Sequence, residues 1–193
     1  MSTPHRREAL MKHRTRVLAT ALAALIAAST VAGPAHAAKK RYVDPADATA
    51  SLTDIRSVVV DHRVGQLVVK IRFTDLRRRS TGGPAGLTML IDTRSDRAGA
   101  EFRLTTGLQS GTDFQLVKVR GGRAVGEPLS CPHRLRLDFA GDRLVFGAAR
   151  TCLGSPQSVR VAVKMRDDFD SSHPVVDWLG APRSWTAPRL PSS

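Results

Sequence analysis

The residues able to do chemistry are few. Beyond residue 37 the 193-residue chain holds three histidines, His62, His133 and His173, and two cysteines, Cys131 and Cys152. Nucleophilic catalysis needs a serine or cysteine beside a base that a third group orients. The local sequence builds no such set. Gly107-Leu108-Gln109-Ser110-Gly111 has the wrong spacing for a GxSxG elbow, and neither HExxH nor a P-loop occurs. The pattern predicts no enzymatic activity. A hydrolase would need a dispersed site that joins His62 or His173 to carboxylates in one pocket.

Asp167, Asp168 and Asp170, with Asp177 further on, form the densest carboxylate group. Clustered carboxylates suit Ca²⁺, which prefers oxygen ligands. An EF-hand starting at Asp168 fails, because its glycine position holds His173. The competing reading is a solvated acidic loop that partners Arg160, Lys164 or Arg166. Asp92-Thr93-Arg94-Ser95-Asp96 reads as a turn in which aspartate side chains bond the backbone. No other cofactor is expected. Trp178 and Trp185 are the only tryptophans. Exposed, they would offer stacking platforms for sugar rings; packed, they would hold a C-terminal segment across a sheet edge.

The cysteines lack CxxC spacing and paired histidines, so a metal or redox pair is disfavoured. They flank a hairpin pattern centred on Gly141-Asp142, a two-residue turn signal. Folding there places Leu135 opposite Ala148, Leu137 opposite Phe146 and Phe139 opposite Leu144, all on one apolar face. In that register Cys131 faces Cys152 directly across the strands, where a disulfide forms with little strain.

These elements need a scaffold. Leu67–Phe73 and Val159–Met165 alternate apolar and basic residues, the pattern of half-buried strands. Residues 55–75 read as a first hairpin. Short apolar runs at 87–92, 102–104, 114–119 and 124–125 are separated by glycine-rich turns. No long segment has helical period outside the N-terminus. The fold class predicted is all-β: a single antiparallel β-sandwich of about eight or nine strands.

Residues 1–37 read as a secretory signal peptide: a basic start, an apolar alanine-rich run from Val17 to Gly33, and Ala35-His36-Ala37 as cleavage site. Residues 38–47 follow as a basic leader, and 48–193 as the domain with its proline- and tryptophan-bearing end. No other apolar run is long enough to span a membrane. Net charge is +13; cleavage removes five basic residues and one acidic, leaving +9. Export favours an oxidised Cys131–Cys152 pair and acidic extracellular partners such as wall or other anionic polysaccharide. Nucleic acid is not expected, because aromatics do not interleave with the basic residues. Lys70, Arg72, Arg134, Arg136, Arg160 and Lys164 would form one basic stripe if their strands are neighbours.

Asp54-Ile55-x-x-Val58, the strand Leu67–Phe73 ending in Asp75-Leu76, and Arg150-Thr151-Cys152-Leu153-Gly154 with Val159-Arg160-Val161 resemble uncharacterised secreted proteins of actinobacteria. The opening also resembles the first strands of DOMON and family 9 carbohydrate-binding-module sandwiches. These resemblances imply a secreted sandwich and transfer no site residue. The function expected is a non-catalytic extracellular or wall-associated module that binds cell-wall or acidic carbohydrate. The alternative is an envelope domain whose partner is a surface protein.

Overall fold

A computed structural model describes residues 38–193; the signal-peptide reading of 1–37 lies outside them. Twelve strands are present among the described residues: β1 (Ala38–Val43), β2 (Ile55–His62), β3 (Gln66–Phe73), β4 (Ala85–Asp92), β5 (Phe102–Gly107), β6 (Phe114–Arg120), β7 (Arg123–Val125), β8 (His133–Asp138), β9 (Arg143–Ala149), β10 (Ser158–Asp167), β11 (Val175–Trp178) and β12 (Leu190–Pro191). They form two antiparallel sheets. The five-stranded sheet runs β1-β2-β3-β9-β8; the seven-stranded sheet runs β11-β10-β4-β5-β6-β7, with β12 added on β10. The predicted all-β sandwich is therefore the observed fold. Among the described residues no helix is long and apolar enough to cross a membrane.

The two-residue period sets the core. Val60, Val69 and Phe146 align across one sheet, Met89, Leu104 and Val163 across the other, and all six are essentially inaccessible. Each such side chain contributes roughly 1.5–3 kcal/mol when fully buried. The opposite residues of every strand therefore face outward, and this parity decides which charges share a surface.

The stretch expected as a leader is structured. All of β1 pairs with β2, and Asp44 is buried at its end. The basic patch hides an alternation: Ala38, Lys40 and Tyr42 turn inward while Lys39, Arg41 and Val43 are exposed. Lys40 fits the inward row because its amine reaches the Ala187 carbonyl at 2.8 Å and lies 5.3 Å from the Tyr42 ring centre. The C-terminal segment also pairs, through β11, the Thr186 backbone and β12, all along the free edge of β10. Covering that edge removes a site for unwanted strand pairing.

The cysteine hairpin forms, but two residues out of the expected register. Leu135 faces Phe146 and Leu137 faces Leu144. The connection is the four residues Phe139–Asp142, and Asp142, not Gly141, takes the positive φ, at 50°. Asp138 stabilises the longer turn by accepting from the Gly141 N–H and from Arg143. A shift of two keeps every side chain on its expected face, so the apolar row survives. The disulfide Cys131–Cys152 is present, with Cα atoms 5.5 Å apart. It is not a cross-strand pair: Cys131 precedes β8, and Cys152 sits in a one-turn 3₁₀ helix, Arg150–Leu153, after β9.

Candidate functional site

The three histidines are scattered. His62 is fully buried on β2, with Nδ1 3.1 Å from the Leu190 carbonyl. Burial, and secondarily the charge of Arg150, push its pKa below the ordinary value. His133 bonds the Cys131 carbonyl through Nδ1. With both cysteines oxidised, the Cys131, His133 and Cys152 grouping offers no thiolate to a metal. His173 is exposed beside Ser172 and Asp170, a serine–histidine–aspartate set that the spacing arguments overlooked. Both partners address the same nitrogen, Nδ1, at 2.9 and 3.1 Å. A catalytic triad needs them on opposite ring nitrogens, so this cluster cannot relay a proton from the serine.

The carboxylates Asp167, Asp168 and Asp170 do not converge. Asp167 is buried and accepts from Ser51 Oγ at 2.6 Å. Asp168 pairs with Arg166, and Asp170 takes the Ser172 hydroxyl and His173. Only Asp167 belongs to β10, while Asp168 and Asp170 lie in the loop after it, so nothing holds the three on one face.

A different acidic group does converge. Asp44, Asp47 and Asp177 bring one carboxylate oxygen each within 4.8 Å of one another. Asp44 follows β1, and Asp177 lies on β11, where it accepts the Ile55 backbone N–H at 2.7 Å. Asp44 Oδ1 accepts from the Gly180 N–H at 2.6 Å. Burial, with help from neighbouring carboxylates, raises the pKa of Asp44 and of Asp177 to about 6.

Trp178 and Trp185 are half-buried beside β10, and each ring carries a cation. Lys164 Nζ lies 5.7 Å from the Trp178 ring centre, and Arg160 lies 5.0 Å from that of Trp185. An open groove of about 480 Å³ crosses the same sheet over Gly86 and Gly107, with Lys164, Arg166 and Asp168 on its rim. Neither tryptophan lines it. Of the cations on its rim Arg166 binds Asp168, and Lys164 has no carboxylate partner among the described residues; Arg160 and Arg189 both bind the buried Asp92.

The other sheet differs. Arg41, Val59, Lys70, Val145 and Arg136 are successive partners across all five strands, on the outward parity. Arg41, Lys70 and Arg136 thus recur at every second strand, about 10 Å apart. The next row on one side holds Lys39 and Arg134, and on the other Arg72 and Arg143. Asp61 and Asp138 are the carboxylates in these rows; they pair with Arg63 at 2.6 Å and Arg143 at 2.7 Å, Arg136 lying 3.9 Å from Asp138. Among the described residues Lys39, Arg41, Lys70, Arg72 and Arg134 have no carboxylate within ion-pair reach.

Open depressions end the face on both sides. One of about 530 Å³ is lined by Arg63, Gln66 and Arg134 over Gly147; another of about 650 Å³ is lined by Arg41, Arg56 and Arg72. The Arg134 side chain lies over Gly147, at ordinary contact distance from where a Cβ would stand. The expected single stripe is therefore split. Lys70, Arg72, Arg134 and Arg136 share this face, while Arg160 and Lys164 lie on the opposite sheet. Lys39 and Arg41 join it because the supposed leader is a strand. Comparison with protein-family models, curated proteins and solved structures returned no match.

Proposed function

We propose that the protein is a secreted, non-catalytic module that binds an anionic polysaccharide, such as a charged cell-wall polymer, on the outer face of its five-stranded sheet. The carrying observation is the row Arg41–Lys70–Arg136, regularly spaced and flanked by Lys39, Arg72 and Arg134. An array of cations, of which Lys39, Arg41, Lys70, Arg72 and Arg134 have no carboxylate within ion-pair reach among the described residues, matches a repeating anionic chain better than a small ligand. The half-buried valines Val59, Val68 and Val145 stand between the cations. The disulfide fits an oxidising compartment, where such polymers are found.

The test is a panel of anionic and neutral polysaccharides titrated with the protein across a salt series. Binding to anionic polymers is expected to weaken at least ~10-fold as ionic strength rises from about 0.1 to 1 M, where the Debye length falls from about 10 to 3 Å. Absence of binding to every anionic polymer, or binding indifferent to salt, overturns the proposal.

A further inference from the structure

We propose that Asp44, Asp47 and Asp177 hold a calcium ion at the end of the sandwich where β1 leaves the five-stranded sheet. Two segments distant in sequence, the stretch holding Asp44 and Asp47 and the strand holding Asp177, bring these carboxylates together, each offering an oxygen within 4.8 Å of the others. A single cation of ordinary coordination radius, 2.3–2.6 Å for Ca²⁺–O, fits among oxygens so spaced.

A second observation points to a ligand. Asp44 is 98% buried, and its Oδ2 is sealed from solvent with no hydrogen-bond partner, although Oδ1 is satisfied by the Gly180 N–H. Buried carboxylate oxygens without partners are costly, and native proteins seldom leave them so. Asp177 is equally buried and spends Oδ2 on Ile55. Asp54, also buried, stands nearby but pairs with Arg56. Three buried carboxylates, Asp44, Asp54 and Asp177, with Asp47 exposed beside them, stand against the Arg56 guanidinium and leave an excess of carboxylates. A bound divalent cation supplies both the missing partner for Asp44 Oδ2 and the missing positive charge.

The donors select the ion. All are carboxylate oxygens, which suit hard cations rather than zinc or copper. Two ligands sit on or beside strands and the third, the exposed Asp47, lies in the loop. Such a mixed, partly flexible set tolerates the irregular 6–8-fold coordination of Ca²⁺ better than the strict octahedron of Mg²⁺. Asp47 leaves an entry path, and water completes the shell. The inference does not depend on polysaccharide binding, and its test reads out without any glycan.

The experiment uses the oxidised full chain after chelator treatment, titrated with CaCl₂ by calorimetry. Thermal unfolding is followed in parallel with Ca²⁺ and with K⁺ at matched ionic strength. One site per chain is expected, with Kd at or below the ~10⁻⁴–10⁻³ M of extracellular calcium modules, and a rise in unfolding midpoint that EDTA reverses and K⁺ does not reproduce. Asp47→Asn, at an exposed position, keeps the fold and is expected to weaken binding at least ~10-fold. Asp177→Asn keeps an acceptor for Ile55 and is expected to do the same. No binding at ~10 mM Ca²⁺, or binding that both variants leave unchanged, overturns the inference.

Discussion

Asp92 is fully buried, and Arg160 donates to its Oδ2 at 2.7 Å from the next strand, while Arg189 of the C-terminal segment takes Oδ1. One carboxylate thus fastens β4 to β10 and both to the chain end. Removing one partner of a buried pair costs about 3–5 kcal/mol when the rest stays buried. Here the arginines keep some solvent contact, so the lower end applies. Asp92→Ala is expected to lower stability by about 3 kcal/mol in urea titration and to expose the segment after Trp185 to protease. A loss under ~1 kcal/mol, the scale of a surface ion pair, would show that Asp92 does not hold the C-terminus.

The disulfide joins two segments outside the ladder, so the hairpin does not need it for register. Replacing both cysteines by serine is expected to cost about 3 kcal/mol, the chain-entropy estimate for a closed loop of this size. The paired strands should remain. Amide exchange would then show β8 and β9 still protected. Loss of protection throughout the hairpin would mean that the bridge sets the pairing.

How much of this was legible in the sequence depended on the range of the cause. Alternation in Leu67–Phe73 and Val159–Met165 is local, and both strands stand where it put them. Gly141 suggests a tight two-residue turn, whereas the local bonds from Gly141 N–H and Arg143 to Asp138 favour four residues, a side-chain choice that glycine spacing does not register. β11 and β12 are short and depend on the strand they cover, whereas the alternation of β1 is masked because its inward row includes Lys40. The site residues split the same way. Outward parity of Lys70 and Arg136 could be read along each strand, whereas strand order, which sends Lys164 to the other surface, could not. Asp44 and Asp177 are 133 residues apart in the chain, so no spacing rule connects them.

His62 gives a pH signature. It is held neutral by burial, with Arg150 adding to the effect, whereas the unfolded chain takes up a proton near pH 6.5. The unfolded state therefore binds more protons below that pH, and stability falls as pH drops through it, by at most about 1.4 kcal/mol per pH unit. His62→Gln keeps a donor for the Leu190 carbonyl and removes the titration. Its stability is expected to vary less than that of the parent between about pH 6.5 and 5. Asp44 and Asp177 titrate in both proteins and cancel in the difference. Parallel curves would mean that His62 accepts its proton in the folded state.

The two sheet faces can be told apart by charge reversal. Lys70 stands at the centre of the row on the five-stranded sheet, exposed and without a carboxylate partner among the described residues. Lys164 stands over Trp178 on the other sheet. Either lysine to glutamate changes net charge equally, so a ligand responding only to overall charge would lose the same affinity in both. Local contact predicts asymmetry, since screening confines each charge to about 8 Å at physiological ionic strength. Lys70→Glu is expected to weaken binding to an anionic polysaccharide at least ~10-fold, about 1.4 kcal/mol, and to flatten its salt dependence, whereas Lys164→Glu should change it less than ~2-fold. Equal losses would assign the attraction to net charge alone, and a larger loss at Lys164 would move the site to the groove over Gly86 and Gly107.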